Sequence, residues 1–103
     1  THAPRDHTSR RHVDVLHARL SVSALLPDFL AYLRVEEQRT PETLLRYQQY
    51  MQAFITTVND CLVGDITSET LSVYKRHLLD RGLSAATRAT MLSGLRSFLR
   101  HCG

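Results

Sequence analysis

The sequence predicts an all-α domain. Three observations carry that reading. Apolar residues recur at helical spacing in four separate segments, and three of these open on a Ser/Thr N-cap signal. No strand-type alternation of apolar and polar residues competes with them. The 103 residues, 43% hydrophobic, suffice for one core and are too few for two domains.

Residues 1–21 read as a flexible or loosely docked basic arm, polar and weakly periodic. His2, His7, His12 and His17 recur every five residues. Successive members would turn by about 140° around a helix, so they share no face and predict no metal site. The folded domain is expected over 22–103. Its first helix covers 23–38, with Leu26, Phe29, Leu30 and Leu33 on one face and Pro27 tolerated in the first turn. The second opens on "TPET", with Thr40 as N-cap, Pro41 at the first helical position and Glu42 near the positive dipole end. It runs to 58 on a stripe of Leu44, Tyr47, Met51, Phe54 and Val58.

The loop "NDCLVGDI" leads to Thr67 as the next N-cap. The third helix, 68–81, is expected to bury Leu71, Tyr74, Leu78 and Leu79 and to stop at Gly82, with Leu83 folding back on Leu78. Ser84 caps the fourth, whose core side is Met91, Leu92, Leu95, Phe98, Leu99 and Cys102.

Formal charge is +3 and the pI about 9.2, a mild lean towards an acidic partner. Only Lys75 of the 13 basic residues is lysine. Arginine's planar fork suits phosphates and guanine edges, but a GC-rich coding sequence produces the same bias. Cys61 and Cys102 have no metal-type spacing and form no disulfide framework, as in a reducing, cytoplasmic protein. No apolar run is long enough to span a membrane.

The fourth helix has no acidic residue. Beside its core side runs a stripe of Ala89, Ser93, Arg96 and Arg100. Between the two lie Ala86, Thr87, Thr90, Gly94 and Ser97, all small or hydroxylated. Small residues allow close backbone approach, hydroxyls and first-turn amides reach phosphates, and arginines anchor a nucleic-acid backbone. On these grounds the chain binds nucleic acid or is a helical protein-interaction module. No nucleophile–base order, metalloprotease motif or phosphate loop points to an enzyme. Glu36 and Glu37 are adjacent and so face different sides of a helix.

"LLPDFLAYL", "TPETLLRYQQYMQAF" and "DITSETLSVYKRHLLDRGLSAATRATMLSGLRSFLRH", in that order, resemble the core-binding domain of the tyrosine recombinases, the family of phage integrases and Xer proteins. The resemblance covers about 22–102. It implies a SAM-like bundle of four to five short helices that forms half of a clamp around double-stranded DNA, with no cofactor. It also implies that this chain is part of a longer, nucleoid-associated recombinase. That protein's own C-terminal domain would hold the catalytic tyrosine, arginines, lysine and histidine or tryptophan partners, and other subunits would complete a synaptic tetramer. Tyr32, Tyr47, Tyr50 and Tyr74 are not the nucleophile on this reading, and the fragment is no enzyme by itself.

Carried onto this sequence, the family's DNA-facing helices supply Thr43 and Arg46 from the second helix, and Thr87, Arg88, Thr90 and Arg96 from the fourth. Arg100 joins them from the basic stripe. Arg88, in the first turn, is expected to reach outward from the core edge. Ala86 and Gly94 stand where some members carry longer polar side chains, which weakens direct base reading. The family's first helix meets neighbouring subunits, and an exposed apolar remnant near Leu25 or Tyr32 would serve that here. A helix-turn-helix regulator is a further alternative, with "RGLS" as its turn.

Overall fold

A computed structural model describes residues 15–103. The order is α1 (Val15–Ala18), α2 (Val22–Val35), α3 (Pro41–Val58), a 3-10 turn (Val63–Asp65), α4 (Ser68–Asp80) and α5 (Ala85–Cys102). The four predicted helices are α2 to α5. Extended pairing among the described residues is limited to one antiparallel bridge, Ser21 with Leu62. The fold class is all-α. His2, His7, His12 and most of the expected arm lie outside the described residues.

The core is built around Phe29 of α2. Its ring meets Tyr47 of α3 edge-on at 5.7 Å and Phe98 of α5 at 5.4 Å, so one side chain ties three helices together. Burying a ring of this size stabilises by roughly 1.5–3 kcal/mol. Around it are buried Val22, Leu26 and Leu33 of α2, Met51 and Phe54 of α3, Val63 and Ile66 of the following turn, Tyr74 and Leu78 of α4, and Met91, Leu95 and Cys102 of α5.

Local chemistry places each helix. Ser21 Oγ accepts from the Ala24 amide and starts α2 one residue earlier than its apolar stripe indicates. That start puts Pro27 in the second turn rather than the first. Its missing N–H falls on the exposed side, where the Ser23 carbonyl can bond to water. The helix ends at Val35 instead of 38. Glu36 and Glu37 would place two carboxylates at the negative end of its dipole. The chain turns through Gln38 (φ 52°) and Arg39 N–H bonds back to the Leu33 carbonyl. Leu25, expected as an exposed remnant, is 4% exposed and belongs to the core. It lies three residues after Val22 and four before Phe29, on the same buried face of the helix.

Thr40, Thr67 and Ser84 each accept from the backbone N–H three residues on, so the three predicted N-caps are all present. Helix α3 closes on Asn59 and Asp60, both at positive φ. The Asp60 carboxylate then accepts from the Ser23 backbone N–H and hydroxyl, locking the end of α3 to the first turn of α2. Helix α4 stops at Asp80, and Gly82 follows at φ 77°, a conformation only glycine adopts cheaply. Leu83 packs against the core. Leu79 does not. It is 57% exposed, because α4 meets the bundle along Tyr74 and Leu78 and Leu79 lies past that face.

Residues 15–21 are docked. His17 Nδ1–H donates to the Cys102 carbonyl at 2.8 Å, satisfying a terminal carbonyl of α5. Val63 N–H bonds to Leu20 O and Val22 N–H to Cys61 O, clipping this segment to the loop after α3.

Candidate nucleic-acid interface

Helices α3 and α5 approach each other at Gly94. A Cβ there would lie 3.3 Å from Tyr50 Cδ2 and 3.6 Å from Tyr47. Gly94 is therefore buried for helix–helix contact, not left open for a DNA backbone as its place in the small-residue stripe suggested. Beside this contact opens a groove of about 380 Å³. Helix α3 lines it with Thr43, Arg46, Tyr47 and Tyr50, one face at i, i+3, i+4 and i+7. Helix α5 contributes Ala89, Thr90, Ser93 and Gly94, and Arg39 stands at the mouth from the α2–α3 turn. Among the described residues no carboxylate lines the groove.

The two threonines differ chemically. Thr43 Oγ1 accepts from the Thr40 hydroxyl, which leaves its own proton for an outside acceptor such as phosphate. Thr90 Oγ1 donates to the Ala86 carbonyl at 3.0 Å and faces outward as an acceptor. Arg46 makes no ion pair among the described residues, so its fork is available.

A second cleft, of about 200 Å³, lies between the C-terminal parts of α2 and α5. There His101 Nε2 pairs with Asp28 at 2.8 Å and its ring lies against Tyr32 at 5.0 Å. Glu37 holds Arg39 at 3.3 Å and accepts from the Tyr32 hydroxyl. The Glu37 charge pushes the Tyr32 phenol above its ordinary pKa. Among the described residues no cluster of His, Cys, Asp or Glu could hold a metal ion. None of their helices is long and apolar enough to cross a membrane.

The model of the phage integrase N-terminal SAM-like domain matches residues 26–102. The chain belongs to that family. Among similar proteins are tyrosine recombinases XerC from Shigella flexneri, 37% identical over 78 residues, and from Pelotomaculum thermopropionicum, 32% over 84. A third, from Psychromonas ingrahamii, is 28% identical over 82 residues. The matches take in 68%, 74% and 77% of this chain but 24%, 28% and 27% of those recombinases. The chain thus spans about a quarter of the relatives it matches. No solved structure matches it at comparable significance.

Within this phage-integrase SAM-like domain, Thr43, Arg46 and Thr90 are brought together in the groove. The other predicted residues stand apart from it. Thr87 sits at the start of α5, its hydroxyl accepting from Ser84. Arg96 is exposed and has no ion pair among the described residues. Arg100 lines the second cleft and donates to Ser97. Arg88 turns inward rather than out: Nη1 donates to the Leu83 carbonyl at 2.8 Å, bracing the α4–α5 turn. Sequence reasoning missed Arg39 and Tyr50 as lining residues. Tyr50 was findable as the i+7 partner of Thr43. Arg39 was not, because the turn through Gln38 aims it.

Proposed function

We propose that this domain is the DNA-binding, core-binding part of a tyrosine recombinase, gripping duplex DNA along the groove between α3 and α5. The observation that supports it is the convergence of Arg39, Arg46, Thr43, Thr90 and Ser93 on one open, carboxylate-free groove. Arg46 and Arg96 anchor phosphates from the two sides. Thr43 donates to a phosphate, Thr87 brings the acid-free first turn of α5 to the backbone, and Thr90 accepts from a base or sugar. Arg88 holds the turn that orients them. Arg100 extends the basic stripe. The catalytic tyrosine would belong to another domain of the same recombinase, which would close the clamp. Exposed Tyr32, as well as Val35, Leu45, Val73 and Leu79, offers apolar surface to that domain and to neighbouring subunits.

Half a clamp binds weakly and electrostatically. With four to six phosphates contacted, log K should fall against log salt with a slope of about −4 to −5, and Kd should lie near ~10⁻⁴–10⁻⁶ M. The test titrates labelled duplex DNA at 50 and 200 mM salt with the wild type and with R46A/R96A/R100A. Salt-dependent binding that the triple variant loses, at unchanged helicity, is the expected result. Absence of binding at 50 mM, or binding indifferent to the triple change, would reject the DNA reading in favour of a protein-interaction module.

A further inference from the structure

The groove and the second cleft share one residue. Arg39 lines both, standing where the α3–α5 groove meets the cleft that holds Arg100, Ser97 and His101. Its backbone is fixed: the N–H bonds to the Leu33 carbonyl at 2.9 Å, and Gln38 before it is at φ 52°. Its side chain is held by a single carboxylate. Glu37 Oε1 lies 3.3 Å from both Nε and Nη2 of Arg39. Among the described residues Glu37 lines the second cleft, and the other carboxylate beside it, Asp28, is engaged by His101 at 2.8 Å. Both partners remain open to solvent, at 46% and 39% side-chain exposure. An ion pair so exposed is weak and easily exchanged.

We propose that Arg39 is a phosphate contact held in reserve by Glu37, and that the DNA backbone runs from the α3–α5 groove across Arg39 into the second cleft towards Arg100. The inference rests on the DNA-binding reading above and adds to it a second segment of track and a residue that tunes it. A phosphate arriving at the junction takes over the guanidinium, which offers it a two-pronged contact, while Glu37 keeps its hydrogen bond from Tyr32. Glu37 thereby competes with DNA for Arg39 and lowers affinity without touching the nucleic acid. The competition matches charge for charge, so it is read in the salt dependence as well as in the affinity.

The experiment is a double-mutant cycle on the 103-residue chain with a labelled mixed-sequence duplex, from 50 to 200 mM salt. Each variant's helicity is checked by circular dichroism. R39A should weaken binding several-fold and reduce the log–log salt slope by about 0.9, the loss of one phosphate contact. E37Q should tighten binding by about two- to fivefold, the scale of an exposed ion pair, a gain that misfolding cannot mimic. In E37Q/R39A that gain should shrink to under about twofold. If R39A and E37Q bind like wild type while R46A/R96A/R100A loses binding, the inference falls and the DNA reading stands. An E37Q gain that survives at full size in the double variant also overturns it, since Glu37 would then repel DNA directly. If the wild type binds no DNA, both fall.

Discussion

Single residues carry much of the local logic. Thr40, Thr67 and Ser84 work as caps because a short hydroxyl needs only the N–H three residues away, and that distance is set by the helix itself. Tyr74 is a different case. Its apolar stripe announces burial, and it is 1% exposed, edge-on to Phe54 at 5.0 Å. Its hydroxyl, however, is buried and makes no hydrogen bond among the described residues. A buried donor without a partner costs about 1–3 kcal/mol, whereas the ring needs no hydroxyl to pack. Y74F should therefore raise stability by about 1 kcal/mol in urea unfolding. A loss would mean the hydroxyl has a partner in the folded protein. Arg39 marks the limit of residue-level reading, since nothing in "EEQRTP" tells that a left-handed Gln38 turns it into the groove mouth.

At the level of elements, interiors of helices were legible and their ends less so. α3 runs over the predicted span, because a proline at its first turn and an N-cap threonine mark its start unambiguously. α2 was misjudged at both ends. Its start depends on Ser21 and its end on two glutamates opposing the dipole, signals weaker than the apolar stripe between them. The segment before α2 is held by a close approach. At Gly64, in the 3-10 turn, a Cβ would lie 2.9 Å from both Ala18 Cβ and the Ala18 carbonyl oxygen. G64A should push residues 15–20 off the bundle while leaving α2 to α5 in place. Hydrogen exchange would then show faster exchange at Val63 N–H, which bonds to Leu20, with Phe54 and Phe98 amides still protected. Uniform loss of protection would show that the docked segment is integral to the core.

The described residues combine exposed arginines with an apolar interior, and pH separates the two. Burial, aided by the nearby Asp28 charge, pushes the Cys102 thiol from its ordinary 9.0 up to about 12. Burial also raises Tyr74, against a smaller opposing pull from Arg81. A folded-state pKa above the unfolded one means that the neutral form is favoured by folding. The stabilisation is present in full below about pH 9 and is lost as pH climbs from there towards about 12. Stability measured by urea unfolding should fall across that window. The fall should be shallower in C102A, whatever that variant loses at neutral pH. An equal slope would place the alkaline loss elsewhere.

The all-α class, the three caps and most of the core could be read from the chain alone, because helix periodicity and capping are short-range and survive without knowledge of neighbours. The family was legible as a resemblance of three ordered segments, not from periodicity. How the candidate side chains group depended on the packing of one helix against another. Whether Gly94 faces solvent or Tyr50, whether Arg88 reaches out or back to Leu83, and whether Arg39 belongs to a groove at all depend on where a second helix or a turn lies. A helical wheel records the direction of a side chain from its own axis and nothing about what stands opposite.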